Sequence, residues 1–290
     1  MQQEQTDITE IRTISTIGQL KELESKGELV GLFDVPIDLY HGGPGLSSTG
    51  LKALLTSPAH FKAYMAEERD SEALRQGRLA HLGILEPDRY AKEVAVAPEC
   101  DKRTKEGKAI FDAFSREAVG KEVASNKDHT LVSALRKSVE ANTLANRVLS
   151  GGKAEISAYW VDEETGILCR ARADYFNTGV IIDLKTTTDA TFRAFQRQSE
   201  IYKYHLSAAF YLDGFKKVLG SGVTSFGWIA VEKNSPYAIA FYAADEALIE
   251  MGRAEYRLAL TTFLNCAAKE YWPAYPQEFV TMGLSRFYGV

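Results

Sequence analysis

Asp174, Asp183 and Lys185 are residues of the right type, near enough in sequence, to share one chemical task. Asp183 and Lys185 lie in Val180-Ile181-Ile182-Asp183-Leu184-Lys185-Thr186, which opens as a continuous apolar run and reads as a buried strand. Side chains at i and i+2 of a strand share a face, so Asp183 and Lys185 project together while Leu184 turns into the core. The preceding segment, Ile167–Tyr175, alternates, with Ile167, Cys169, Ala171 and Ala173 on one face. The tight turn at Asn177-Thr178-Gly179 makes the two strands antiparallel neighbours and brings Asp174 beside Asp183. Two adjacent carboxylates bind a hard divalent cation through oxygen, and such a cation polarises a phosphate and activates water. A neighbouring lysine orients or deprotonates that water and offsets negative charge. This set suits phosphodiester hydrolysis. The plainer alternative is a solvated ion pair on a hairpin, because an isolated Asp-x-Lys is common. The buried run and the second aspartate across the turn favour the chemical reading.

The elements around these strands set their context. Residues 1–35 are polar and mixed, with Ile8, Ile11 and Ile14 at three-residue spacing and a short helix near Ile17–Ser25. Residues 36–50 are rich in turn formers and read as a loop. Ser47 or Ser48 caps a helix through Leu51–Met65 that breaks near Pro58. Residues 71–86 carry Leu74, Leu79, Leu82 and Leu85 as a helical stripe ended by Pro87. Residues 99–128 are charged and helical or loose. An amphipathic helix over 129–149, with Leu131, Leu135, Val139 and Leu144, stops at Gly151-Gly152. Ile156–Val161 is a strand, and 162–166 a turn, so three strands form a meander. Thr188 or Asp189 caps a helix over 190–213 that ends at Gly214. A strand at Ser225–Glu232, a hairpin partner at Tyr237–Tyr242 and a long helix over 245–269 complete the chain. The expected class is α/β.

Composition narrows the function classes. The chain has 290 residues, 45% of them hydrophobic, enough for a sizeable core. No apolar run approaches the roughly 20 residues that span a bilayer. Met1–Glu10 is polar and acidic, unlike a signal peptide, so a cytoplasmic protein without membrane attachment is expected. The three cysteines, Cys100, Cys169 and Cys266, are scattered and form no Cys-x-x-Cys pair, which argues against zinc or iron–sulfur ligation and for buried thiols. A net charge of −5 argues against whole-surface nucleic-acid binding, not against a basic groove. Over 192–217, Arg193, Arg197, Lys203, His205, Lys216 and Lys217 outnumber Glu200 and Asp213. The interleaved Phe192, Phe195, Tyr202, Phe210 and Tyr211 read mostly as core.

The pattern Asp174 … Asp183-Leu184-Lys185 resembles the signature of the PD-(D/E)XK nuclease superfamily, whose core of helix, three-stranded meander, helix and strand follows the same order. Here that core carries an added N-terminal helical region and a C-terminal helix. The blocks Gly77–Pro87, Ile167–Tyr175, Ile181–Thr187 and Tyr202–Gly214, with the stretch Leu46–Met65, resemble RecE-type exonucleases (exodeoxyribonuclease VIII-like) over roughly residues 38–275. On this basis residues 1–35 are an extension and 36–290 the nuclease domain. The resemblance implies that His81, Asp174, Asp183 and the Leu184 carbonyl hold metal and that Lys185 is the catalytic lysine beside the two aspartates. From its sequence neighbours alone, His81 on a leucine-rich helix reads as a packed core residue. Glu155, Tyr211, His205, Arg193 and Arg197 are candidates for supporting the ligands or touching DNA. Mg2+ is the expected metal; imidazole suits manganese better than magnesium, so Mn2+ is an alternative. Relatives carry glutamine four residues before the tyrosine matched by Tyr211; here that position is Ser207, which puts efficiency rather than metal binding in question.

The resemblance further implies a metal-dependent exodeoxyribonuclease that degrades linear double-stranded DNA from its ends, 5′-to-3′. It implies a ring-like homo-oligomer in phage-type recombination, working with a single-strand annealing protein in the bacterial host cytoplasm. The competing readings are an endonuclease or nickase on the same fold and a catalytically silent DNA-binding module. An intact Asp, Asp, Lys set argues against the silent module.

Overall fold

The computed structural model describes residues 11–67 and 71–283; Met1–Glu10, Ile8 included, lie outside the described residues. The segment read as a polar extension contributes β1 (Ile11–Thr13), α1 (Ile17–Ser25) and β2 (Gly31–Asp34). Thr16 and Gln19 close α1 with a reciprocal capping box. The expected loop over 36–50 contains a helix, α2 (Ile37–Gly42), with Pro36 before it and Asp38 in its first turn. Ser47 caps α3 (Ser48–Thr56) and Ser57 caps α4 (Pro58–Ala66), so the break falls at Pro58 as expected.

After α5 (Glu72–Leu85) and α6 (Pro87–Glu93), β3 (Val94–Val96) pairs in parallel with β4 (Glu122–Ala124) across α7 (Lys105–Glu117). The charged 99–128 segment is thus ordered around this small separate sheet. The helix expected over 129–149 is two helices, α8 (Asn126–Ala141) and α9 (Thr143–Val148). Asn142 divides them because its side chain caps α9, accepting the Ala145 N–H at 3.0 Å.

The meander is β5 (Lys153–Val161), β6 (Leu168–Asn177) and β7 (Val180–Thr187). The helix expected over 190–213 is instead α10 (Phe192–Ile201) and α11 (Tyr204–Leu219), separated where Lys203 turns left-handed at φ 50°. Neither Thr188 nor Asp189 is the N-cap of α10; Thr191 is, and Asp189 accepts its N–H at 2.8 Å. Gly214 does not end α11, which continues to Leu219 and stops at Gly220. A Cβ at Gly214 would lie 2.4 Å from the Trp160 ring, so this glycine serves close helix–sheet packing. β8 (Ser225–Glu232), β9 (Ile239–Ala243) and α12 (Glu246–Lys269) complete the order.

One seven-stranded mixed sheet runs β1-β2-β5-β6-β7-β8-β9. β2, β5, β6 and β7 pair antiparallel in turn, and β7 pairs parallel with β8, a connection made through α10 and α11. On one face, Ile156, Ala158, Ala171, Ala173 and Ile181 pack with Leu51 and Leu54 of α3, Phe210 and Phe215 of α11 and Leu260 of α12. On the other, Tyr175, Ile182, Leu184 and Ile229 pack with Ala80 of α5 and Leu135 and Val139 of α8. Cys169 and Cys266 are buried free thiols and Cys100 is partly buried. Among the described residues, no helix is long and apolar enough to cross a membrane.

Candidate functional site

The sheet opens where the chemical residues sit. The β6–β7 ladder pairs Asn177 with Val180, Phe176 with Ile181 and Tyr175 with Ile182, and then ends. The same register sets Asp174 opposite Asp183, but there the ladder bond is replaced: Asp174 Oδ2 accepts the Leu184 N–H at 2.7 Å. The β5–β6 register likewise sets Glu155 opposite Asp174, between the pairs Ala154–Tyr175 and Ile156–Ala173. Glu155 has a left-handed backbone at φ 55°, a conformation that costs a non-glycine residue ~1–3 kcal/mol and tends to persist at functional sites. Both strands change face at this point. Ile156 and Ala173 pack toward α11, whereas Ala154 and Tyr175 pack toward α5 and α8. The twist turns Glu155 and Asp174 out of the regular alternation and toward α5.

From α5, His81 completes the group. Its Nδ1 lies 3.6 Å from Asp174 Oδ1 and 3.9 Å from Glu155 Oε1. One donor atom from each of His81, Glu155 and Asp174 falls within 4.8 Å of the others, and all three side chains are partly buried. Burial lowers the His81 pKa against the pull of Glu155 and Asp183, so the imidazole is held neutral with a lone pair to offer; the Leu184 backbone is also within hydrogen-bonding reach of its ring. Burial, and then the charge of Asp183, push the Asp174 carboxyl well above the usual carboxylate range. Crowded carboxylates beside a neutral imidazole fit a divalent cation, which would relieve both desolvation and like-charge repulsion. The nitrogen donor favours a transition metal such as manganese over magnesium.

Asp183 stands beside this group rather than within it. Its Oδ1 takes the Lys185 ammonium at 2.5 Å, and a hydrogen bond links it to Asp174. Burial raises the Asp183 pKa, but Lys185 and Asp174 outweigh burial and leave it below its ordinary value. For Lys185 burial lowers the pKa, but Asp183 and Asp174 outweigh it and hold the group as an ammonium. In this arrangement Lys185 can donate hydrogen bonds and offset charge, which favours the orienting role over proton abstraction.

Further residues surround these groups. Arg172 is buried; its Nε donates to Glu155 Oε2 at 2.5 Å, and its Nη1 donates to the Val35 carbonyl. It thereby fixes Glu155 and ties β6 to the segment after β2. Arg172→Met should cost about 3 kcal/mol, because it strands a partly buried carboxylate and leaves the Val35 carbonyl without its donor. Urea denaturation at neutral pH checks this, and an unchanged midpoint would contradict the pairing. Tyr211 hydrogen-bonds Ser48; burial and then the charge of Asp183 raise its pKa. His205 lies 3.1 Å from Glu255, which also takes Lys203 at 2.9 Å, so it braces α11 against α12 rather than joining the cluster. Arg193 and Arg197 line a cavity of about 590 Å³ with Thr186, Thr188, Tyr202 and Lys233, beginning one residue beyond Lys185 on β7. Gln198 bridges Thr187 and Tyr204, at 2.9 Å each.

Arg172, Tyr204 and Lys52 belong to no motif that singles them out in the sequence. Arg172 left one usable signal: arginines at every second position of an apolar strand, Arg170 and Arg172, must find buried partners.

A mixed sheet flanked by helices, with an acidic pair and lysine where two central strands part, defines a PD-(D/E)XK-type core. Residues 47–280 match the family described as "PDDEXK-like domain of unknown function (DUF3799)", and the chain belongs to that family. The match begins after β2, so the N-terminal strands fall outside it. The fold is shared with a "Putative exonuclease" from Eubacterium rectale, at TM-score 0.57 and 13% identity over 85% of this chain and 94% of that one. A phage related exonuclease from Haemophilus somnus 129PT matches at TM-score 0.34 and 12% identity, over 78% of this chain and 96% of that one. No curated protein matches significantly.

Proposed function

We propose that this protein is a metal-dependent deoxyribonuclease that degrades linear double-stranded DNA. The carrying observation is the convergence of His81, Glu155 and Asp174 within 4.8 Å, beside the Asp183–Lys185 pair on the adjoining strand. His81, Glu155 and Asp174 would hold the cation, with Asp183 and the Leu184 backbone at its margin. When bound, a divalent cation supplies positive charge at the scissile phosphate and lowers the pKa of the attacking water. Lys185 orients that water through its N–H groups and offsets the charge that develops on phosphorus-bound oxygens. Tyr211 and Ser48 wall the site on the side of α11 and α3. The cavity past Lys185 receives the sugar–phosphate chain: among the described residues Arg193, Arg197 and Lys233 have no ion-pair partner, and the Thr186 and Thr188 hydroxyls can donate to phosphate.

The RecE resemblance supplies the finer reading: 5′-to-3′ digestion from ends, Mg2+ as the working metal with Mn2+ also accepted, a homo-oligomer, and a recombination role in a bacterial cytoplasm with a single-strand annealing partner. Incubation with linear and with covalently closed duplex DNA, in Mg2+ or Mn2+, tests the mode of attack. Loss of the linear form alone is expected. Cutting of the circle would replace the exonuclease by an endonuclease or nickase. Metal-dependent loss of neither, from folded protein, would leave a DNA-binding module.

A further inference from the structure

Lys52 is a half-buried cation beside the site. It lies partly buried on α3, with its Nζ over the Tyr204 ring at 5.8 Å from the centroid; Lys185 Nζ stands over the same ring at 5.4 Å. The neighbouring ammonium groups are matched: Lys185 has Asp183 at 2.5 Å, and Lys203 has Glu255 at 2.9 Å. Among the described residues Lys52 has no ion pair and no side-chain hydrogen bond. Burial, with the repulsion of Lys185 and Lys203, lowers its pKa to about 7 against the pull of Asp183 and Glu255. An ammonium desolvated without a partner is unfavourable unless something else compensates it. The ring of Tyr204 compensates weakly, by about 0.5–2 kcal/mol for such a contact. Tyr204 is held in place by Gln198, which donates to its hydroxyl at 2.9 Å.

This leaves a preformed amine, fixed by α3 and α11, adjacent to the lysine that faces the reacting phosphate; a phosphate bound there would draw it to its charged form. One stretch of sugar–phosphate backbone reaches both amines, since both lie over one ring. We propose that Lys52 binds a nonbridging phosphate oxygen of the strand being cut, next to the phosphate that faces Lys185. It is thus a substrate-binding residue outside the Asp, Asp, Lys signature. The inference rests on the nuclease reading above.

The test is equilibrium binding of a short blunt duplex in chelator, at several salt concentrations, by the full chain and its Lys52→Met and Lys52→Arg variants. Methionine keeps the apolar stem and removes the charge. Lys52→Met should bind about 10-fold more weakly at low salt, with the slope of log affinity against log salt shallower by about 0.9, the signature of one lost phosphate contact. Lys52→Arg should recover most of both, and it also answers the question if methionine impairs folding. A purely structural lysine would leave the salt slope unchanged. Comparing 5′-phosphorylated with 5′-hydroxyl duplexes locates the contact: an equal loss on both places it at an internal phosphodiester, and a loss confined to the former places it at the terminal phosphate. Wild-type protein that binds duplex, with Lys52→Met equal in affinity and slope, overturns the assignment of Lys52 alone. Wild-type protein that binds no duplex in chelator and degrades none with Mn2+ or Mg2+ overturns the nuclease reading itself.

Discussion

Lys185→Ala should reduce cleavage of linear duplex DNA by about 10³-fold, within the range expected for losing a positioned catalytic group, while the fold is retained. The same variant should bind a divalent cation at least as tightly as the wild type. The reason lies in the geometry: the ammonium sits 2.5 Å from Asp183 and competes with any cation for the carboxylates. Removing it frees Asp183 and increases the negative charge around Asp174. Single-turnover cleavage and calorimetric Mn2+ titration of the same preparation check both halves. A fully active Lys185→Ala enzyme would reject the catalytic assignment. Lost activity accompanied by lost metal binding would instead make Lys185 structural.

Asp174→Asn should act in two opposite directions. It should weaken Mn2+ binding at least ~10-fold, as expected when a metal site loses a direct ligand, and abolish the metal-induced rise in Tm. In chelator it should stabilise the protein. Asp174 is buried against Asp183 and Glu155, and its folded pKa is raised well above 3.8. A group raised in the folded state favours folding while protonated, so its contribution is lost as pH climbs from the ordinary aspartate value through the folded one. Asparagine keeps an oxygen to accept the Leu184 N–H, removes the charge and flattens that part of the pH profile. Thermal melts between acidic and neutral pH, with chelator and with Mn2+, read all of this. Unchanged metal affinity in Asp174→Asn would remove Asp174 from the ligand set.

The parts of this site legible in the sequence are those encoded locally. The Val180–Ile182 run and the turn at 177–179 placed Asp174, Asp183 and Lys185 together, because a strand's two-residue period and a tight turn leave little freedom. His81 and Glu155 come from distant elements, α5 and β5, and only a family resemblance could single them out. What neither source carried is the twist that turns Glu155, rather than Asp183, toward His81, since it depends on a left-handed residue that is not glycine. Lys52 was silent, and Arg172 gave only the sign that it needed a buried partner, for a related reason: their meaning comes from tertiary neighbours, the Tyr204 ring and the Glu155 carboxylate. In the fold, long periodic elements such as α5, β8 and α12 stood where the pattern put them. The misses were short or interrupted ones: α2, β3 and β4, the Asn142 break and the split at Lys203, where capping and packing override a continuous helical pattern.

The most direct test of the central claim is release of nucleotides from linear duplex DNA by the full chain, first stripped with chelator and then resupplied with Mn2+ or Mg2+. The expected result is no release in chelator, release restored by the metal, and no restoration in Asp174→Asn at the same metal concentration. Release that persists in chelator, or that Asp174→Asn supports as well as the wild type, would contradict a metal-dependent centre built on His81, Glu155 and Asp174.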